Sequence, residues 1–135
     1  MALTLAEANR IVQATLAKAN EFNIKISVAV VDSGGRLLAF QRMDGAIWAS
    51  AYGSQGKAVA SAGFGRPSGA IQADAPTPRG IVAAEGGHMI PGQGAVPIIR
   101  GGVVEGACGV GGGTGQQDED CAQAGVAALA AAPRR

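Results

Sequence analysis

Apolar residues recur at helical spacing from the start of the chain. Leu5, Ala8, Val12, Leu16, Ala19 and Phe22 share one face of a helix running from about 5 to 22. Thr4 and Glu7 form a capping-box pattern at its start. The period then changes to two: Ile24, Ile26, Val28 and Val30 alternate with other residues, which predicts a strand. Asp32-Ser33-Gly34-Gly35 is a turn, and residues 36–43 resume as a second strand, so the pair forms a hairpin. A helix is expected over about 47–63, weakened by Gly53 and Gly56. Gly65, Pro67, Pro76 and Pro78 break the middle of the chain and leave room for a short helix around 68–74. Residues 86–95 read as a loop with at most one short strand. Val96 to Arg100, Gly101-Gly102 and Val103 to Val110 make a second hairpin. Thr114 and Gln117 form another capping-box pattern, opening a last helix over about 115–132. Two hairpins bracketed by helices give an α+β domain with a mainly antiparallel sheet. Tight turns between neighbouring strands argue against a doubly wound nucleotide fold, which needs crossover helices.

Composition sharpens this picture. The 135 residues fit a single domain, 1–135, with no linker and no long internal repeat. Net charge is +1, without a basic or acidic block, which argues against a nucleic-acid partner held by clustered Lys and Arg. No apolar run approaches the roughly 18 residues that would span a membrane. The first ten residues lack a basic stretch followed by an apolar one, so a cytoplasmic location is expected. Cys108 and Cys121 are too few for a disulfide scaffold. Only 16% of residues are charged, short of a full polar coat, and Ala and Gly occupy several helix faces. A homo-oligomer that hides apolar surface is the expected consequence.

Candidate chemistry is sparse. His88 is the only histidine and lies in a Gly-rich loop, where it would ligate iron or act as an acid or base. It cannot hold a structural zinc alone, and there is no Cys-x-x-Cys-His for covalent haem. Lys57 either snorkels to solvent or faces a closed pocket, where it would bind a carboxylate or serve as a base. Arg42 and Arg66, at the ends of a strand and a helix, are candidates to clamp an anion. The run Gly109 to Gly115, with Gly111 and Gly112 at its centre, follows a strand and precedes a helix. It is either a tight turn that needs glycine angles or a wall where a ligand meets backbone N–H groups. It lacks the Lys-Ser/Thr ending of a P-loop, and three acids follow it. Asp118 and Glu119 read as first-turn acids favoured by the helix dipole, with Glu119 also a candidate proton carrier. Tyr52 and Cys121 are further conceivable ligands.

Several stretches, in order, carry a resemblance. They are Leu3-Thr4-Leu5-Ala6-Glu7-Ala8, Val30-Val31-Asp32-Ser33-Gly34-Gly35 and Phe40-Gln41-Arg42-Met43-Asp44-Gly45. Lys57-Ala58, Phe64-Gly65-Arg66-Pro67, Val96-Pro97-Ile98, Gly106-Ala107-Cys108-Gly109-Val110, Gln117-Asp118-Glu119 and Ala124-Gly125 continue the set. Together they resemble the GlcG/HbpS family, also found as the C-terminal domain of PduO-type proteins. The resemblance implies a profilin-like three-layer α-β-α domain with a five-stranded antiparallel sheet. It also implies assembly into a tetramer to octamer, and binding of haem or iron in some members. The chain departs from the family at Pro91-Gly92-Gln93-Gly94, where relatives often read Pro-Gly-Gly. It departs again at Gly109-Val110-Gly111-Gly112, where a family serine hydroxyl is missing.

Three readings follow. The first is a small-molecule-binding accessory protein that holds haem or a related tetrapyrrole non-covalently. His88 would bind the metal, and Arg42, Arg66, Gly111 and Gly112 would line the cofactor site. Against it stands a shortage of aromatic rings: Phe22, Phe40, Phe64, Trp48 and Tyr52 are all the chain has. The second is a small catabolic-pathway isomerase, hydratase or lyase acting on a carbonyl or carboxylic acid at a subunit interface. Its catalytic residues would be His88, Lys57 and Glu119. The third is a structural oligomer with no convergent polar pocket.

Overall fold

In the computed structural model of the chain, residues 2–130 are described. The first helix, α1 (Leu5–Phe22), opens at a complete capping box, with Thr4 and Glu7 bonding each other's backbone N–H groups. It closes at Asn23, whose left-handed φ of 56° lets its N–H cap the last turn. The hairpin β1 (Ser27–Asp32) and β2 (Leu37–Arg42) follows, turning on the Asp32 carboxylate, which accepts from Gly34 and Arg36 N–H. Next come α2 (Ala49–Phe64) and a single 3-10 turn at Ser68–Ala70. The chain continues through α3 (Pro76–Ala84), the hairpin β3 (Ala95–Arg100) and β4 (Val103–Gly111), and α4 (Gly115–Ala130). Thr114 and Gln117 form the second capping box, as their spacing predicts.

The sheet has four strands in the order β2-β1-β4-β3, every neighbouring pair antiparallel. This corrects the expected five: among the described residues, the segment before Ala95 forms no further strand. The middle of the chain differs as well. The helix expected around 68–74 is only the 3-10 turn, and α3 was not foreseen. Its two prolines break nothing, because Pro76 and Pro78 fall in the first helical turn. There a fixed φ suits the helix and a missing N–H costs no bond.

The two faces of the sheet carry side chains of different size. Val28, Val30, Val96, Ile98, Cys108 and Val110 point to α1 and α4, joining Ile11, Val12, Cys121 and Ala122 in the main core. The opposite face is made of small residues, with Ala29, Val31 and Ala107 meeting Ala58 and Ala62 of α2. Both faces are covered, so β1 is buried along its length despite its alternating pattern. Layers run α1/α4, sheet, α2, and the three-layer expectation stands.

Arg100 ties α1 to the β3–β4 hairpin. Its guanidinium holds both Glu7 carboxylate oxygens, at 2.5 and 3.0 Å, and also reaches Glu105. That contact, with the Thr4 N–H bond, lowers the Glu7 pKa from 4.5 to about 2. A carboxyl depressed in the folded state stabilises the fold above its unfolded pKa, and the gain fades as pH falls toward the folded value. Glu7→Gln is therefore expected to remove the part of the acid-induced stability loss that falls between pH 4.5 and about 2. Urea midpoints measured across that range check it; parallel pH profiles for the two proteins would refute it.

Candidate functional site

The outer face of α2 forms the floor of a cleft of about 510 Å³. That volume lies within the range of roughly 300–1,000 Å³ typical of small-molecule sites. Tyr52, Gln55, Gly56 and Val59 supply the floor. One rim is the β1–β2 turn, with Gly35, Arg36 and Leu37; the other is the loop after α3, with Glu85, Gly87, His88 and Ile90. The two rims stand one helical turn apart on α2. Gly35 packs toward Val59, and Ile90 N–H donates to the Gly56 carbonyl at 3.0 Å.

Backbone geometry places His88. Gly86 and Gly87 have φ of 68° and 90°, which only glycine adopts freely, and they turn the chain out of α3. Met89 then drops into a small core with Ala60 and Ile71. Ile90 lies on α2 where Gly56 has no side chain: a Cβ there would come within 2.5 Å of the Ile90 side chain. His88 is left exposed in the cleft between two anchored neighbours and a glycine turn. An imidazole, a carboxylate, a phenol and a guanidinium thus face one partly apolar space.

Lys57 is elsewhere. It is buried, and its ammonium donates to Asp118 Oδ2 and to the Gln93 carbonyl, both at 3.2 Å. The second Asp118 oxygen accepts the Gly113 N–H at 2.8 Å. Burial raises the Asp118 pKa above its ordinary value, while Lys57 and the Gly113 N–H pull against that rise. This pair joins α2, the 91–94 loop and the Gly-rich turn. Lys57 does not snorkel, because the chain on either side closes over it. Gly94 makes room for it: a Cβ there would sit 2.5 Å from the ammonium nitrogen.

The other residues singled out by sequence are dispersed. Arg42 is exposed at the end of β2 and donates to the Ala46 carbonyl at 3.2 Å. Arg66 is exposed past the end of α2. Gly111 is buried, and a side chain there would meet the Ser50 carbonyl at 2.9 Å, so it serves the packing of α2 on β4. Gly112 follows with φ of 119°. Glu119 is half-buried on α4, one residue from Asp118. Cys121 is buried, with its thiol pushed up to about 11 by burial, and it lies outside the cleft lining. Only His88 and Tyr52 of those considered reach the cleft.

Arg36, Gln55 and Glu85 were not found by sequence. Nothing local marks them, because the cleft forms from three separated segments. Asp118 was findable. With Cys121, Ala122 and Gly125 it makes an i, i+3, i+4, i+7 stripe, the buried face of α4.

The family model described as haem degrading protein HbpS-like matches residues 3–127. The chain belongs to the HbpS-like family. A 15.0 kDa protein of the dhaT-dhaS intergenic region of Citrobacter freundii is 38% identical over 120 residues. That alignment spans 86% of this chain and 84% of the relative. The crystal structure of Klebsiella pneumoniae protein ORFY superposes with a TM-score of 0.87 at 32% identity, covering 97% of this chain and 92% of that one. The PduOC:haem complex shares the fold, with a TM-score of 0.84 at 24% identity and 95% coverage of each chain.

Two outcomes are expected of this HbpS-like chain. Lys57→Met leaves Asp118 buried without its cation and should cost about 3 kcal/mol in urea unfolding at pH 7. A lone buried Asp118 has a raised folded pKa, and protonating it below its unfolded pKa removes the penalty. The deficit should therefore shrink near pH 4; a deficit independent of pH would contradict the pairing. Gly56→Ala gains about 1 kcal/mol of helix propensity and loses a comparable amount to overpacking against Ile90. Stability should change little, while the single imidazole NMR resonance of His88 shifts. Gly53→Ala on the same helix, where a Cβ meets nothing closer than 3.9 Å, should leave that resonance in place; an equal shift there would sink the steric account.

Proposed function

We propose that this protein binds haem or a related tetrapyrrole non-covalently in the α2 cleft, as an accessory factor. The observation that carries the reading is that the one imidazole of the chain lines a partly apolar cleft of about 510 Å³. The residues present fit the group. Leu37, Val59 and Ile90 offer aliphatic surface, and Tyr52 offers an aromatic ring. His88 offers a ring nitrogen of the kind that serves as an axial ligand. The few aromatic residues of the chain are no obstacle, because aliphatic side chains also exclude water from a porphyrin face. Bound haem would supply redox-active iron. The protein's own part is to hold His88 in place through Met89 and Ile90, to shield the apolar face, and to present Glu85 in the same cleft. The family description names haem degradation. PduOC shows that the same fold accommodates haem.

The expected homo-oligomer, between tetramer and octamer, belongs to the same reading. Ile47, Trp48 and Tyr52 stand 66–71% exposed beside the cleft, an apolar surface that a subunit interface would cover. No helix among the described residues is long and apolar enough to cross a membrane.

A second reading is favoured by one observation: Glu85 and His88 line the same space, an arrangement suited to moving a proton on a small carbonyl or carboxylic acid. Lys57 is committed to Asp118, so His88 and Glu85 would carry that chemistry.

Haem titration of the purified protein is expected to give a saturable Soret band that His88→Ala shifts to that of a weakly or differently ligated haem. Identical spectra and affinity for the two proteins would overturn the assignment of His88. Absence of saturable binding in the unaltered protein would overturn the tetrapyrrole reading.

A further inference from the structure

The cleft is polar at two points that differ in charge. Arg36 is the one cation of its lining and Glu85 the one carboxylate; they sit on opposite rims, with Leu37, Val59 and Ile90 also in the lining. No ion pair joins them. The Arg36 guanidinium donates only to the Gly34 carbonyl of its own turn, at 3.3 Å, and has no carboxylate partner among the described residues. By contrast, Arg100 spends its fork on Glu7 and Glu105. The Arg36 rim is also firmly placed. Asp32 holds the Gly34 and Arg36 N–H groups at 2.9 and 3.0 Å, the Arg36 carbonyl accepts from Asp32 N–H at 2.8 Å, and Gly35 rests against Val59.

We infer that Arg36 is the carboxylate-recognition residue of the cleft, and that its ligand is an apolar frame carrying at least one carboxylate. A guanidinium held on a fixed turn by one long bond to a carbonyl, and without a carboxylate partner, has the fork to match a carboxylate in two parallel hydrogen bonds. Glu85 on the far rim repels a carboxylate and so sets the ligand's direction: acid group at Arg36, metal or neutral end at His88 and Glu85. This deepens the tetrapyrrole reading and rests on it for the probe. It gives the anion-binding role to Arg36, where sequence had offered Arg42 and Arg66, both outside the cleft lining.

The test compares iron protoporphyrin IX with its dimethyl ester, which keeps the ring and iron but has no free carboxylate. Arg36→Gln should weaken binding of the diacid about 10-fold, the loss of one charge-assisted contact, and leave the ester unchanged. Arg36→Lys should fall between, since the charge remains but the fork is lost. Equal losses for both porphyrins, or no loss for either, would overturn the proposal.

A second probe separates this failure from that of the tetrapyrrole reading. Benzoate and benzamide are titrated while the His88 imidazole resonance is followed. If the unaltered protein binds neither porphyrin but responds to benzoate and not benzamide, and Arg36→Gln abolishes that response, the carboxylate site stands without the tetrapyrrole. If porphyrin binding is absent and benzoate gives no Arg36-dependent shift, the proposal falls. Circular dichroism of each variant confirms that the exposed turn substitution leaves the fold intact.

Discussion

The architecture depends on how closely α2 approaches β4. Gly109 and Gly111 carry no side chains where the backbone of α2 passes over them, and Ser50, Ser54 and Ala58 are the residues they meet. A larger residue on either side would lift the helix off the sheet, because β-carbons cannot interpenetrate backbone. Small residues on both surfaces thus let a helix weakened by Gly53, Gly56 and Gly63 find its stability in tertiary contact. The cleft is built on the other face of that helix.

With α2 pressed against the sheet, its outward face becomes a platform between two rims. Gly56 admits Ile90, and Ile90 with Met89 fixes the loop that displays His88. Gly35 settles on Val59 and fixes the turn that displays Arg36. The cleft therefore depends on two glycines, Gly56 because Ile90 occupies its side-chain space and Gly35 because its φ of 77° favours glycine. Glycines that look like helix defects in the chain are contact points in the fold.

Charge plays two separate parts. The Glu7–Arg100–Glu105 cluster is a partly exposed latch between α1 and the second hairpin, screened by solvent and modest in effect. Lys57 and Asp118 form an interior tie whose burial makes it costly to break on one side only. It holds the Gly-rich turn to α2 and to the 91–94 loop. In isolation that segment read either as a tight glycine turn or as a wall where a ligand meets backbone N–H groups. A carboxylate already accepts its Gly113 N–H, so the Asp118 side chain satisfies one of the donors an anion would have used.

The chain by itself determined the elements whose causes are local. Two capping boxes, two hairpins and the apolar periods of α1 and β1 were legible because hydrogen bonding between neighbours and side-chain spacing set them. The buried stripe of α4 is encoded in spacing as well, but Asp118 within it reads from sequence as a first-turn acid and only the fold shows it buried. Ordered motifs spread over the chain carried the family resemblance. The start of α3 at Pro76 had a local cause too, prolines placed in a first helical turn. The number of strands and the fate of Lys57 were decided by tertiary structure. So was the membership of the cleft. Arg36, Tyr52, Glu85 and His88 come from segments that meet only after α2 has docked, and no spacing along a chain encodes that meeting. Burial of Lys57 depends on Asp118 arriving from 61 residues away. A buried charge is tolerated only where its partner is delivered, and the fold delivers it.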